Sequence, residues 1–178
     1  ATNPAIYVSR YGTLTLDDGA VLRNCKSQYY AGGAVGLFTG TSEFVMNGTA
    51  RMEDNEADYG GGVYVANILA AFTMNGGTIS GNSGPCGAVQ VHKDSAKFIM
   101  NSGEVTGNTS TTGGEAGIYV EAKTPTVELN AGKAQSVTLA ANVSASPSKG
   151  HIYISDRFDL ESGLVDMVQD AKTVTPAA

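Results

Sequence analysis

The sequence contains no tryptophan, only two cysteines and few charged residues. Charged residues make up 16% of its 178 positions, against about 25% in an average globular domain. With 11 Lys and Arg against 17 Asp and Glu, the formal charge is −6, which argues against a nucleic-acid partner or an anionic membrane surface. No apolar run approaches the roughly 20 residues of a membrane-spanning helix. We therefore expect neither nucleic-acid binding nor membrane insertion.

Glycine and small polar residues replace the missing charged residues. The chain has 23 glycines and many Ser, Thr and Asn, while its 42% hydrophobic residues are sufficient for an ordered core. This composition predicts an all-β chain rich in turns. The first residues show neither an initiator Met nor a charged stretch followed by an apolar one, so we expect no signal peptide here and a segment of a longer parent protein with other domains.

Three short elements recur along the chain. An apolar tetrapeptide begins near residues 5, 34, 62, 88, 117 and 151, at intervals of 26 to 34 residues. The second element occurs at Leu14–Asp17, Phe44–Asn47, Phe72–Asn75, Phe98–Asn101 and Val127–Asn130, with a degenerate copy at Phe158–Glu161. The third element ends on an Asn and occurs at 20–24, 78–82 and 104–108. In the second and fifth copies an insertion precedes the Asn, which is Asn55 or Asn142.

The alternation of apolar and polar residues within each element has the period of a short strand. Three such strands in a repeat of about 28 residues indicate one coil of a parallel β-helix, and the long, unequal coils favour a right-handed one. We predict a single domain over 1–178 with about six coils, in which a partial last coil closes the open end. Inward side chains should stack in rows, with Val35 on Val63 and Phe44 on Phe72.

A polar column is predicted where the second strand of each coil ends. Its members are Asp17, Asn47, Asn75, Asn101 and Asn130. Short polar side chains tolerate a left-handed turn, and stacked amides can bond to one another along the column as a ladder. We interpret the column as structural.

Two short motifs alternate along residues 6–108. Phe-x-x-Asn is present at Phe44–Asn47, Phe72–Asn75 and Phe98–Asn101. Gly-Gly-Ala-Val is present at Gly32–Val35, with variants at 60–63 and 86–89. Together they resemble the short repeats of the polymorphic outer-membrane protein family, which are bacterial β-helical surface adhesins. The resemblance implies a β-helix on a bacterial surface, although the sequence lacks the family's translocator barrel and signal.

Polysaccharide-degrading activity is the main enzymatic alternative, because many β-helical proteins are lyases or glycosidases. Glycoside hydrolysis needs two carboxylates about 5–9.5 Å apart. The outward positions of the predicted first strands hold no acid, and Glu128 and Glu104 have Ile99 and Thr78 beside them in the preceding coil. We therefore predict no catalytic residues and no cofactor, although loops could still assemble an acidic pair.

Acidic residues and cysteines do not predict a metal site. The densest acidic segment comprises Glu53, Asp54, Glu56 and Asp58. Oxygen ligands at this spacing could hold Ca²⁺, but a solvated turn is the preferred interpretation. Cys25 and Cys86 are separated by one coil, so two thiols that behave as small apolar residues are expected, and a bridge would need bent loops.

Tyrosine occupies most outward positions of the predicted first strands. The row comprises Tyr7, Gly36, Tyr64, Gln90, Tyr119 and Tyr153, with His92 on the same face. A solvent-facing aromatic stripe on a rigid sheet offers flat surfaces to sugars or proteins, and Gly36 should leave a notch. The predicted ligand-binding residues are therefore Tyr7, Tyr64, Gln90, Tyr119 and Tyr153. A row of strand tyrosines without a binding role is the alternative.

The sequence thus predicts a non-catalytic, adhesin-like segment of a bacterial cell-surface protein, located outside the cell. Its partner would be a glycan or a host surface protein that docks on the flat face of the β-helix. A structural stalk and a polysaccharide lyase or glycosidase are the alternatives. Ice binding is disfavoured because regular Thr-x-Thr rows are missing.

Overall fold

The computed structural model describes residues 3–28, 32–112, 116–122, 124–131, 137–140, 142–144, 152–154 and 164–169. In this part of the chain every regular element is a β-strand, and every strand pair is parallel. The strands form three sheets that together make a parallel β-solenoid of about four turns. The predicted all-β parallel repeat fold is confirmed.

The strands follow one another in a repeated order. The first group is β1 (Ile6–Val8), β2 (Thr13–Leu16), β3 (Val21–Arg23) and β4 (Lys26–Ser27). The second is β5 (Val35–Leu37), β6 (Glu43–Met46), β7 (Arg51–Glu53) and β8 (Glu56–Ala57). In the next two groups the middle strands merge, giving β9 (Val63–Val65), β10 (Ala71–Ser80), β11 (Ser83–Gly84), β12 (Val89–Val91), β13 (Lys97–Thr106) and β14 (Thr109–Ser110). The remaining strands are β15 (Ile118–Val120), β16 (Thr126–Ala131), β17 (Val137–Ala140), β18 (Val143–Ser144), β19 (Ile152–Ile154) and β20 (Leu164–Gln169).

Each sheet takes corresponding strands from successive groups. The first sheet has the order β1-β5-β9-β12-β15-β19 and contains the recurring tetrapeptides. The second sheet has the order β2-β6-β10-β13-β16-β20, with β3, β7 and β17 beside the long strands. The third has the order β18-β14-β11-β8-β4. The register of the first sheet places Val35 beside Val63 and Val63 beside Val89, as the repeat predicted.

The last strand of the second sheet differs from the prediction. We expected Phe158–Glu161 to continue this sheet, and that segment lies outside the described residues. The strand that pairs with β16 is β20, with Val127 beside Val165 and Leu129 beside Met167. The segment containing Val165 and Met167 has the same alternation of apolar residues as the earlier copies, so a sequence comparison alone could not decide between the two.

The core consists of rows of like side chains that stack from turn to turn. Phe44 and Phe72 stack with ring centroids 4.6 Å apart, and Phe72 and Phe98 follow at 5.0 Å. All three rings are fully buried, as are the neighbouring Met46, Met74 and Met100. Aromatic pairs of this kind contribute about 0.5–1.5 kcal/mol beyond the burial of their area. The predicted phenylalanine stack is confirmed.

An exposed ladder of side-chain amides runs along the end of the second-sheet strands. Its bonds run from Asn47 to Asp17 (2.8 Å), from Asn75 to Asn47 (3.0 Å), from Asn101 to Asn75 (2.8 Å) and from Asn130 to Asn101 (2.9 Å). In each bond Nδ2 donates to the Oδ1 of the preceding turn. This arrangement confirms the predicted polar column and gives it a direction.

A second, more deeply buried ladder lies at the corner before the third sheet. Its bonds run from Asn55 to Asn82 (2.8 Å), from Asn82 to Asn108 (3.0 Å) and from Asn108 to Asn142 (2.8 Å). Here Nδ2 donates to the following turn, opposite to the direction of the exposed ladder. The same Nδ2 atoms also donate to backbone carbonyls of the preceding turn, such as that of Met52 for Asn82.

The first turn departs from the predicted alignment of this third element. We expected it to end on Asn24, but Arg23 pairs with Glu53, and Glu53 pairs with Ser80. Asn24 consequently takes the left-handed corner position, with a φ of 57°. Cys25 occupies the ladder position instead, and its backbone N–H donates to Oδ1 of Asn55 at 3.0 Å. The prediction for Asn24 was wrong by one residue.

Candidate functional site

The predicted ligand-binding residues all lie at one register position of the first sheet. The register runs Tyr7, Gly36, Tyr64, Gln90, Tyr119, Tyr153 from strand to strand. Because successive side chains of a strand point to opposite faces, this position lies opposite the buried valine and isoleucine rows. The structure therefore brings the predicted residues together in one row.

The exposure of that row differs from the prediction. Tyr7 is 50% exposed, but Tyr64 is only 8% exposed and Gln90 is fully buried. Tyr119 is half-buried, and the side chain of Tyr153 lies outside the described residues. The prediction that Tyr64 and Gln90 face solvent was wrong, because side chains from the loops after the first-sheet strands cover the row.

Phe38 fills the notch that was predicted at Gly36. A Cβ atom at Gly36 would lie 2.2 Å from Cε2 of Phe38, so the glycine makes room for this ring. Phe38 stacks on Tyr7 with centroids 4.8 Å apart and meets Tyr64 edge-on at 5.8 Å. The aromatic surface is therefore continuous across the glycine, and Phe38, which directly follows the tetrapeptide, was missed in the sequence.

Two further rings extend the aromatic surface around Tyr64. The ring of Tyr59 lies 6.1 Å from that of Tyr64, and the imidazole of His92 lies 5.5 Å from it. Tyr59 is 46% exposed, so its ring, like that of Tyr7, is accessible to a ligand. We call Tyr7, Phe38, Tyr59, Tyr64 and His92 the aromatic face.

A polar cluster adjoins the aromatic face at His92. Oε2 of Glu121 accepts a hydrogen bond from Nε2 of Gln90 at 2.9 Å and lies 2.7 Å from Nδ1 of His92. His92 and Glu121 each directly follow a first-sheet strand, and their backbone N–H groups donate to Val65 and Val91. The parallel register therefore fixes the pair side by side. We call Gln90, His92 and Glu121 the polar cluster.

Burial affects polar groups both in the cluster and in the neighbouring Tyr64. Oε1 of Gln90 is buried and accepts no hydrogen bond from the described residues. Burial raises the pKa of the Tyr64 phenol well above its usual value, and the negative charge of Glu121 raises it further. Tyr64 therefore keeps its proton and can act as a hydrogen-bond donor throughout the physiological range.

The acidic segment is not gathered in one turn: Glu53 ends β7 and Glu56 begins β8, while Asp54 and Asp58 each follow one of these strands. Glu53 pairs with Arg51 at 2.9 Å, and Glu56 pairs with Lys26 at 2.7 Å. Their carboxylates are thus held by cations on the surface. Within the described ranges, no group of three or more His, Cys, Asp or Glu side chains is placed to hold a metal ion.

Two acidic residues occupy neighbouring register positions in β16 and β20 of the second sheet. Glu128 lies beside Ile99 on one side, as predicted, and beside Asp166 on the other. Adjacent strands are about 4.8 Å apart, so the two backbone positions are close. The sequence analysis compared Glu128 only with Ile99 in the preceding coil, and its alignment of Phe158–Glu161 put Asp159, not Asp166, at the corresponding position of the next coil.

A shallow polar groove of about 510 Å³ lies beside the exposed amide ladder. Its polar lining residues are Thr49, Arg51, Asn75, Thr78, Ser102 and Glu104, and four glycines complete it. Arg51 is engaged with Glu53. The groove combines no aromatic surface with its polar groups, which distinguishes it from the aromatic face.

The two cysteines are not joined by a disulfide. Sγ of Cys25 lies 3.6 Å from the carbonyl oxygen of Arg23, and burial raises the pKa of this thiol. A raised pKa disfavours the reactive thiolate. Cys25 therefore behaves as a small apolar residue at the end of the buried ladder.

The candidate site is thus an aromatic face with a polar cluster at its edge. No helix in the described part of the chain is long and apolar enough to cross a membrane. Comparisons with protein-family models, with curated proteins and with solved structures find no match for this chain.

Proposed function

We propose that this chain is a non-catalytic, adhesin-like segment of a bacterial cell-surface protein that binds a glycan on its aromatic face. The observation that carries the proposal is the continuous contact from Tyr7 through Phe38 to Tyr64, with Tyr59 beside it. Flat aromatic rings pack against the C–H faces of sugar rings, while polar groups nearby fix their orientation.

Rigidity of the scaffold supports binding at this face. Tyr64 and Gln90 belong to strands that are paired on both sides, and Phe38 is wedged against Gly36. A surface that is ordered before the ligand arrives loses little conformational entropy on binding. Tyr7 and Tyr59, each about half exposed, supply the ring area that a ligand can cover.

A larger architecture belongs to the same proposal. We infer a right-handed solenoid of six coils, since the first sheet contains six strands and parallel crossover connections are right-handed in about 98% of cases. The Phe-x-x-Asn and Gly-Gly-Ala-Val motifs support a bacterial surface location through their resemblance to the polymorphic outer-membrane proteins. A host surface protein is the other partner that the aromatic face could bind, and a stalk is the alternative without binding.

The neighbouring positions of Glu128 and Asp166 favour glycoside hydrolysis as a second candidate function. Two carboxylates held about 5–9.5 Å apart are the catalytic requirement. Release of reducing sugar ends from a polysaccharide panel, abolished by Glu128→Gln, would establish this activity. Absence of turnover in the wild type would leave the adhesive function as the better account.

The binding experiment compares three proteins on an array of glycans, mucins and matrix proteins. The test variant is Tyr7→Ala/Tyr59→Ala, because removal of the buried Tyr64 would also disturb packing. The matched control is Tyr11→Asn, which removes a tyrosine that is 82% exposed and keeps a residue that tolerates its φ of 60°. We expect glycan binding by the wild type and the control, and binding about tenfold weaker in the test variant.

Each other outcome has a defined meaning. Binding only to protein ligands would transfer the proposal to a protein partner. Equal glycan binding by all three proteins would place the site elsewhere on the solenoid. Absence of binding to every ligand would favour the stalk.

A further inference from the structure

We propose that the polar cluster is a subsite for the hydroxyl groups of a neutral pyranose and that it discriminates against anionic sugars. This inference rests on the proposed glycan-binding function and specifies its ligand class. Glu121 and His92 would contact the sugar, and Gln90 would act as a positioning residue that holds the Glu121 carboxylate. No residue of the cluster other than Gln90 was among the ligand-binding residues predicted from the sequence.

The cluster presents hydrogen-bond acceptors to a ligand. Nδ1 of His92 lies 2.7 Å from Oε2 of Glu121, and because a carboxylate oxygen can only accept, Nδ1 carries the hydrogen of this bond. The carboxylate of Glu121 has only acceptor atoms, and the amide donor of Gln90 is already engaged with it. A ligand that complements this surface has to bring donors, and sugar hydroxyls are donors in a fixed array.

The buried oxygen of Gln90 points in the same direction. Oε1 of Gln90 lacks a donor among the described residues, although Gln90 is fully buried. A buried acceptor without a donor is unfavourable, so a glutamine is a poor choice for packing alone at this position. Its Nε2 holds Oε2 of Glu121 at 2.9 Å, which is the contact a positioning residue requires.

The exposure of the cluster allows a ligand to reach its rim. The side chains of His92 and Glu121 are 24% and 21% exposed, so both are accessible at one edge while their mutual bond is shielded. The ring of Tyr64 lies 5.5 Å from that of His92 and connects the cluster to the rest of the aromatic face. A pyranose that packs on the aromatic face would therefore place its edge hydroxyls at Glu121.

Charge determines which sugars fit. A partly buried carboxylate repels a second anionic group at contact distance more strongly than an exposed one does, because screening is weaker there. Uronic acids carry a carboxylate where the neutral hexoses carry a hydroxymethyl group. The carboxylate of a uronic acid has no hydrogen to donate to Glu121 and carries the same charge. Specificity would therefore arise from repulsion of the anionic sugar as well as from hydrogen bonds to the neutral one.

The test uses matched ligand pairs and the whole chain. Binding of methyl galactoside and methyl glucoside is compared with that of methyl galacturonoside and methyl glucuronoside, which differ from them only at C6. Glu121→Gln keeps the size of the side chain and removes its charge, and His92→Gln is a second variant in case the first fails to fold. Tyr11→Asn is the control, and near-ultraviolet circular dichroism checks the fold.

We expect the wild type and the control to prefer the neutral member of each pair by at least tenfold. In Glu121→Gln the preference should fall at least fivefold, through weaker binding of the neutral sugar and stronger binding of the uronide. A wild type that binds glycans with no neutral preference, or folded variants that keep the full preference, would overturn the subsite while the glycan-binding function remained. A wild type that binds no glycan would overturn both.

Discussion

Asn47 donates its side-chain amide to the carboxylate of Asp17 across 2.8 Å, and this bond is the first of the exposed ladder. As a carboxylate, Asp17 accepts hydrogen bonds but has no amide hydrogen to donate further. At the corresponding end of the buried ladder, Cys25 offers only its backbone N–H to Asn55. Both ladders therefore change residue type in the first turn, which is chemically different from the turns above it.

The two ladders should contribute unequally to stability. Asn82→Ala removes bonds to Met52, Asn108 and Asn55 from a fully buried position, and we expect a loss of at least about 3 kcal/mol because each orphaned buried group costs about 1–3 kcal/mol. Asn75→Ala removes two exposed bonds, and we expect a loss of about 1–2 kcal/mol. Urea unfolding midpoints measure both values.

Thr73→Ala is the control for the ladder variants, since it lies in the same strand with no side-chain bond in either ladder. We expect it to change the unfolding free energy by less than about 0.5 kcal/mol. Equal losses for the Asn75 and Thr73 variants would remove the energetic argument for the exposed ladder.

Phe72 should be among the most costly core residues to truncate. Phe72→Ala opens a cavity between the stacked rings of Phe44 and Phe98, and we expect a loss of about 3–5 kcal/mol. Phe38→Ala is the matched control, because the same side chain is removed from a partly exposed position. A cost for Phe72→Ala no larger than that for Phe38→Ala would contradict the assigned core.

Gly77 combines a positive φ with close contact to the neighbouring turn. Its φ is +88°, and a Cβ atom there would lie 2.3 Å from the carbonyl oxygen of Ala50. Gly19 has a φ of +76° with nothing within 4 Å of the corresponding point. We expect Gly19→Ala to cost about 1–2 kcal/mol from backbone strain alone and Gly77→Ala to cost more. Thermal unfolding that ranks the two variants equally would show that the turns can separate at no cost.

The thiol of Cys25 should react slowly at neutral pH. Because burial raises its pKa, the thiolate fraction at a given pH is smaller than in an unfolded chain. In a Cys86→Ser background, the rate of alkylation by iodoacetamide should rise with pH with a midpoint above that measured in guanidinium. A midpoint equal to or below the unfolded value would be inconsistent with burial of this thiol.

The sequence was sufficient to predict the core rows and the exposed ladder because these depend on the repeat alone, whereas the bonds of the buried ladder were not predicted. Identical residues at corresponding positions of successive repeats, such as Phe44, Phe72 and Phe98, have to stack once the chain coils in register. The first and last copies were harder, since a terminal turn has a neighbour on one side only. Two errors are of that kind. Asn24 was predicted at the position that Cys25 occupies, and Phe158–Glu161 was predicted as the last strand of the second sheet, where β20 pairs.

Only part of the candidate site was predicted, because the positions of its residues follow from the repeat and their exposure does not. The register of Tyr7, Tyr64 and Gln90 follows from the repeat, whereas their exposure depends on loops whose residues do not repeat. Phe38 covers Gly36, and Glu121 reaches back to Gln90, and neither contact recurs among the turns whose side chains the structure describes. Periodic sequence features predict the scaffold, and the irregular residues between them form the site.

The hydrogen-bond pattern of the two ladders affects how the protein can change its length. In an interior turn each ladder residue both donates to one neighbour and accepts from the other, and the turn boundaries recur after 28 and 26 residues. Duplication or deletion of one whole interior turn by recombination would therefore leave every amide with a partner. The first turn, with Asp17 and Cys25, could not be copied into the middle without breaking both ladders. Variation in length should thus arise by exchange of turns that carry Asn at both ladder positions.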